Sequence, residues 1–450
     1  MIVLLLVFFL ALLFFLYKIH KNDFMYPSIM MVAVYIICTT FAIYNWQIWD
    51  MDSYSGQAVY LTIIAVTMFS IVGILVERAF FINRHYLVGR SDRDSNAVKE
   101  INVSLFVLIL NFIVCLISLL WNLLVVRRIA GGETWFDTMS LYRKKVSYGV
   151  LSSDESIPSL LLQLRKYVSV QGFFFSFVLV NNTVVRKFKK RDILLIAPII
   201  ISGLLVISNA SRLEILQLIA SIIVAVYIMW HRKNGWDRNI SGKLIRIGFL
   251  LFVGVLALFY LTRELVGRGG DFDPLYYISI YVGGSIKLFD MYVKKPILAS
   301  SIWGKESFYT LNQFLSKFGN DHDRYIRHLE FRFVRDYNVG NVYTAIRRYI
   351  QDFGVSGMVV LVCLFSLIMS SMYCSVKYST KRALDFKLMV FCYLFSSILL
   401  FPIDDIFYSS MISPSYLINI LLMYGVYFIT VKYRLVLNSN SINNHSEVVY

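Results

Sequence analysis

Three arginines stand beside long apolar runs: Arg212 in SNASRLEIL, and Arg263 and Arg268 in TRELVGRGGDFD. A guanidinium keeps its charge and offers a planar fork of donors that matches phosphate oxygens. Gly267, Gly269 and Gly270 surround Arg268. Lacking Cβ atoms, they would let backbone approach a bulky anion closely. Snorkelling at a helix end explains any single arginine. Three together suit a diphosphate site better. Glu214 lies two residues past Arg212, about 200° round a helix, so the pair does not share a face. Glu214, Gln217 and Ser221 do share one, and a polar stripe on an apolar helix turns toward the bundle interior.

A second group lies in GNDHDRYIRHLEFRFVRDYNVG. His322, His328 and Asp321 are candidates to take a proton from a hydroxyl, with Asp323, Glu330 and Asp336 nearby. No spacing here singles out one base. Asp321 and Asp323 make an Asp-x-Asp pair, for which a solvated charged loop is a simpler account than a metal. No metal or other cofactor is expected. DFG at 352–354 lacks the glycine-rich and catalytic loops of a kinase. Walker A, HExxH and GxSxG motifs are absent. The five cysteines fall in or beside apolar runs without CxxC spacing, as packing residues do.

These residues belong to a very apolar chain. Of 450 residues, 58% are hydrophobic and 16% charged, which excludes an ordinary soluble domain. The composition predicts an all-α polytopic membrane protein in contact with the lipid bilayer. A span needs about 20 apolar residues. Eleven runs qualify: 2–18, 27–44, 58–76, 103–126, 168–185, 192–208, 212–230, 245–262, 355–374, 387–403 and 411–430. The exits of odd-numbered runs are basic, whereas 45–57 and 404–410 hold acids and no Lys or Arg. The positive-inside rule then puts the N-terminus outside, in the periplasm, and the C-terminus in the cytoplasm. It also accounts for the net charge of +16 without nucleic acid. The first run lacks a basic n-region and a small-x-small cleavage site, and reads as a retained helix.

Two long outer loops follow, at about 127–167 and 263–354. Loops of this length are usually functional. Apolar patterning in the second predicts short surface helices over 276–292 and 307–318. Residues 1–434 read as a single transmembrane domain and 435–450 as a disordered cytoplasmic tail.

Four stretches resemble bacterial oligosaccharide repeat-unit polymerases, the O-antigen polymerase (Wzy) family: SNASRLEIL, YYISIYVGGSIKLFD, GKESFYTLNQFL and NVYTAIRRYIQDFGVSG. They occur in the family's order over roughly 170–430. The Arg-x10-Gly pattern described for some members has no clean copy here. The resemblance implies a metal-independent GT-C-type glycosyltransferase bundle with two large periplasmic loops in the bacterial inner (cytoplasmic) membrane. It implies transfer of a growing glycan from undecaprenyl diphosphate to the non-reducing end of another undecaprenyl-diphosphate-linked oligosaccharide. Arg212, Arg263 and Arg268 would hold the diphosphate, and His322, His328 or Asp321 would act as base. Tyr281, Asn341, Tyr343 and Asp352 would contact glycan, and Tyr276 and Tyr277 could stack on sugar rings. A chain-length regulator and the flippase of the same pathway are possible partners. An O-antigen ligase would share the large loop but not the acceptor. A lipid-linked oligosaccharide flippase would instead show a repeated bundle, an even span count and no loop of this size.

Overall fold

The computed structural model describes residues 1–87, 98–147, 156–209, 211–236, 253–254, 257, 259–263, 273–298, 300–318, 329–379 and 383–433. Among them, nine helices are long and apolar enough to cross a membrane. The chain is an all-α polytopic membrane protein, with one small β-hairpin among the described residues. The helices are α1 (Ile2–Ile19), α2 (Pro27–Tyr44), α3 (Gly56–Leu87), α4 (Leu105–Ala130), α5 (Trp135–Ser147), α6 (Ser159–Val185), α7 (Ile193–Ser208) and α8 (Leu213–Asn234). After them come α9 (Pro274–Val282), α10 (Gly284–Lys294), α11 (Tyr309–Leu315), α12 (Ala345–Lys377), α13 (Phe386–Leu394), α14 (Ser396–Leu400) and α15 (Pro414–Tyr427). The strands Arg332–Val334 and Tyr337–Gly340 form the hairpin, β1 and β2.

Helix α4 shows why these elements suit lipid. Ile109, Ile113, Ile117, Leu120 and Leu124 share one exposed face, while Asn111, Cys115, Ser118 and Asn122 are buried. Apolar side chains face out and polar ones face in. That is the arrangement a hydrocarbon solvent selects once the backbone is satisfied within the helix.

Expected and observed boundaries differ where charge interrupts an apolar run. The span expected at 168–185 starts at Ser159, because Arg165 finds partners inside the helix bundle. The span expected at 355–374 starts at Ala345 and breaks at Gly354, whose φ of 67° suits glycine. The run at 387–403 is split between α13 and α14. Most of the run at 245–262 lies outside the described residues. Short helices occupy the stretches expected at 276–292 and 307–318, as α9, α10 and α11, but α10 is buried from Gly284 to Asp290 rather than lying on a surface.

The chain divides into two compact units. One comprises Met1–Asp92, Phe272–Ser379 and Leu394–Leu417. Within it, α3 runs along α12, close enough for the Ser366 hydroxyl to donate to the Phe69 carbonyl at 2.6 Å. Near their C-terminal ends Lys377 pairs with Asp23 at 2.7 Å and with Glu77 at 2.9 Å. The Tyr373 hydroxyl donates to Asp23 at 2.6 Å. At the opposite end, the α9–α10 junction presses on α2. A Cβ on Gly283 would lie 2.6 Å from Ala42 N and 2.8 Å from the Phe41 carbonyl carbon. Backbone cannot yield as a side chain can, so Gly283→Ala is expected to cost roughly 1–3 kcal/mol by overpacking. A melting curve in detergent checks this, and an unchanged midpoint would refute the contact.

The other unit comprises Arg93–Asp271, Thr380–Tyr393 and Ile418–Tyr450. Its central helix is α6, buried without interruption from Val168 to Val178. Helices α6 and α8 lie side by side and parallel. Ser169 bonds Glu214 at 3.4 Å near one end, and Lys233 donates to the Val184 carbonyl at 2.6 Å near the other. Gln217 and Ser221 are buried, as the polar stripe on α8 predicts, and Ser221 donates to the Cys392 carbonyl at 2.8 Å.

Candidate active site

Three segments of the first unit meet around Arg347. Helix α12 supplies Arg347 and Arg348 in its first turn, the loop before α11 supplies Glu306, and the approach to β1 supplies Glu330. Arg347 is wholly buried, yet it bridges Glu306 and Glu330, the latter at 3.1 Å. Its guanidinium carbon lies 4.7 Å from the Tyr343 ring centroid and 5.1 Å from that of Tyr292. A buried cation is tolerable here because carboxylates and ring faces replace its water. Glu306 and Glu330 keep 17% and 32% of their side chains exposed, so the cluster presents acceptor oxygens to solvent. Arg332 supports Glu330 from the side at 3.2 Å.

The surrounding scaffold fixes this cluster from several directions. Asp352 accepts the backbone N–H groups of Ser307 at 2.6 Å and Glu306 at 3.0 Å, which sets the turn carrying Glu306. The Tyr292 hydroxyl donates to Gln351 at 2.9 Å. Arg348 bonds Asp404 at 2.9 Å, and the Ala345 N–H donates to the Phe401 carbonyl at 3.0 Å. The 401–405 connection therefore satisfies orphan donors at the start of α12. On the far side, Lys287 and Lys294 reach Asp290, and Lys287 also donates to the Asp50 carbonyl at 2.9 Å. That ties α10 to the α2–α3 connection.

Asp405 lies beneath this cluster. It is buried and accepts the Tyr349 hydroxyl and the Tyr408 and Ser409 N–H groups, each at 3.1 Å. Burial pushes its pKa up to about 7, with Arg348 opposing the rise and Asp404 adding to it. The unfolded chain would hold that proton only below about pH 4. Between these values the folded state binds more proton than the unfolded state, so stability falls as pH rises from about 4 to 7 and then levels. Melting curves should show this slope, and Asp405→Asn should flatten it. A slope unchanged in the variant would assign it to other groups.

The sequence candidates fall into four sets. Asn341, Tyr343 and Asp352 join the Arg347 cluster. Asn341 donates to the Leu329 carbonyl at 3.3 Å, and the Tyr343 hydroxyl to the Glu330 carbonyl at 3.2 Å. Tyr281 pairs with Tyr277 on α9 at 5.2 Å between ring centroids. Arg212 and Arg263 belong to the other unit. Arg212 donates to the Phe259 carbonyl at 2.9 Å and lies 4.0 Å over that ring, while Arg263 lies 4.0 Å over Tyr260. The start of α8 is thus brought to the 259–263 segment. Arg268, His322, His328 and Asp321 lie outside the described residues.

Sequence reasoning missed Glu306, Arg347, Arg348, Asp404 and Asp405. Their signal was present: an Arg-Arg pair entering an apolar helix, and an Asp-Asp pair in the short connection between two apolar runs. What was absent was any indication that the two pairs meet. No family model, curated protein or solved structure matches the chain.

Proposed function

We propose that this chain is an oligosaccharide repeat-unit polymerase of the O-antigen (Wzy) type. The observation that carries the reading is the convergence of the stretches that resemble that family. GKESFYTLNQFL and NVYTAIRRYIQDFGVSG are separate in sequence, yet they meet through Arg347–Glu306 and Asp352–Ser307, and Gly284 of YYISIYVGGSIKLFD packs on Val339, two residues before the second of them. Acceptor carboxylates beside tyrosine rings form a surface suited to sugar hydroxyls and ring faces.

On this reading the protein has eleven spans with a GT-C-type bundle in the bacterial inner membrane, its N-terminus periplasmic and the Arg347 cluster at the periplasmic end. The acceptor hydroxyl oxygen attacks the anomeric carbon of the growing glycan. The bond from that carbon to the diphosphate oxygen breaks, and the diphosphate leaves with the electron pair. An acid or histidine of the large loop takes the hydroxyl proton. Arg212, Arg263 and Arg268 stabilise the charge developing on the leaving group. The chain-length regulator and the flippase of the pathway are its working partners.

The test is the lipopolysaccharide banding pattern after deletion of the gene. Core carrying a single repeat unit, with the ladder gone, is the expected result. Bare core would overturn the polymerase reading. Polymer accumulated on its lipid carrier would then identify a ligase, and unflipped single units a flippase.

A further inference from the structure

The stretch from Lys295 to Phe318 runs from the end of α10 through α11 and its closing turn, and it exposes large apolar side chains. Leu298 is 93% exposed, Phe318 78% and Trp303 68%, and Leu315 is exposed as well. A face that leaves several such side chains uncovered marks contact with another apolar phase. Cations stand among them, with Lys295, Lys305 and Lys317 all exposed. The one acid between Lys295 and Phe318 is Glu306, which serves Arg347.

The depth of this stretch follows from what holds it. Helix α12 carries Arg347, Arg348 and Asp352 before its break at Gly354, and no charged residue from Val355 to Val376. That uncharged part is about as long as a bilayer core requires, so Gly354 marks where α12 enters hydrocarbon. Helix α3 starts at the same level. Ser366, bonded to the Phe69 carbonyl, stands twelve residues past Gly354, and Phe69 stands thirteen past Gly56, where α3 begins. The stretch is tied to that level. Gln351 donates to the Leu298 carbonyl at 3.1 Å, and Asp352 fixes the Glu306 turn. The Trp303 ring stacks on Phe308 at 5.1 Å and lies 5.2 Å from Phe353. Farther along, the Thr310 hydroxyl donates to the Ser409 carbonyl, in the connection that leads into the span at Pro414–Lys432.

A leaflet at this level is the phase that fits. Val355, just past the break in α12, is exposed, and Trp303 is exposed beside Phe353, two residues earlier. Exposed apolar surface thus passes from the span onto the stretch. Tryptophan suits the boundary because its ring is apolar while its N–H can stay in water. Lysines spaced among apolar side chains suit it too, since their stems lie along the hydrocarbon and their ammonium groups meet anionic headgroups. A soluble protein would have to enter the headgroup layer to cover side chains held here.

We propose that residues 295–318 dock on the bilayer itself. Leu298, Trp303, Leu315 and Phe318 insert at the boundary of headgroups and acyl chains, and Lys295, Lys305 and Lys317 hold anionic headgroups of the leaflet that α12 enters at Gly354. The turn that carries Glu306 to Arg347 is then held by lipid on one side and by Asp352 on the other. Docking of this kind does not depend on the reaction the chain performs.

The experiment places a nitroxide on Leu298→Cys or on Phe318→Cys in the full chain, reconstituted in vesicles of phosphatidylethanolamine and phosphatidylglycerol. Its readout is the ratio of collisions with oxygen to collisions with a water-soluble nickel chelate. The native cysteines are buried or half-buried, and wild type labelled in parallel gives their background. Leu367→Cys, on an exposed face of α12, is the hydrocarbon reference, and a free nitroxide in buffer is the water reference. Both labels should favour oxygen severalfold over the free nitroxide, though less than Leu367→Cys does. Replacing phosphatidylglycerol with phosphatidylcholine should reduce that preference, because the anionic headgroups are gone. Combining Lys295→Gln, Lys305→Gln and Lys317→Gln should abolish the difference between the two lipids. Both labelled positions are mostly exposed, so neither Cys variant should shift the melting curve, and either one alone carries the test should the other fail to fold. Collisions matching those of the free nitroxide would overturn the docking. A preference for oxygen that is the same in both lipids would overturn the anionic headgroup contact. Spin–spin broadening that vanishes on dilution with unlabelled chain would assign the face to a second copy and overturn the proposal too.

Discussion

Arg347→Ala is expected to remove the lipopolysaccharide ladder and to lower the melting temperature of the purified protein. Two effects combine. Glu306 and Glu330 lose the cation they share and are left as partly buried carboxylates without their main partner. Breaking a buried pair by removing one member costs roughly 3–5 kcal/mol. Tyr292 and Tyr343 also lose the guanidinium packed against their rings. Arg347→Lys should not restore activity, because a single ammonium cannot serve two carboxylates and two ring faces as a planar fork does. A triple variant, Arg347→Met with Glu306→Gln and Glu330→Gln, separates folding from function. It should regain much of the stability, since an apolar or neutral replacement of a buried ionic cluster is often tolerated, but not the ladder. Wild-type banding and melting in Arg347→Ala would remove the cluster from both fold and function.

The second large effect belongs to the arginines of the other unit. Arg212→Ala and Arg263→Ala should each slow polymerisation at normal membrane abundance, by about a hundredfold or more, the loss of roughly 3 kcal/mol typical for one preorganised charge-stabilising donor. Arg268→Ala is expected to behave likewise. Read on a gel, the ladder should shorten or vanish while core bearing a single repeat unit persists. Retention of the full ladder in all three would mean that Arg212 and Arg263 only brace the 259–263 segment, through the Phe259 carbonyl and the Phe259 and Tyr260 rings. Assay at raised substrate distinguishes a loss of binding from a loss of rate.

Some features of this protein could be read from composition and spacing alone. Membrane character followed from the apolar runs, since a bilayer demands a length and polarity that few other environments do. Inward-facing Gln217 and Ser221 followed from helical periodicity, and the short helices of the large loop from their amphipathic pattern. Window-based reading failed where a charge is helical. Arg165 and Arg347 look like loop residues to any hydropathy sum, yet each lies inside a helix because another segment supplies its partner. Asn122 lies 43 residues before Arg165, and Glu306 lies 41 residues before Arg347. Compatibility at such distances is written in no local pattern. The tertiary structure alone decided which charges meet, because a buried charge is tolerated only where packing delivers the compensating group. It also broke α12 at Gly354, two residues past the Asp352 that fixes the Glu306 turn. The sequence by itself determined the solvent this chain folds in. Packing determined where that chain can hold a charge.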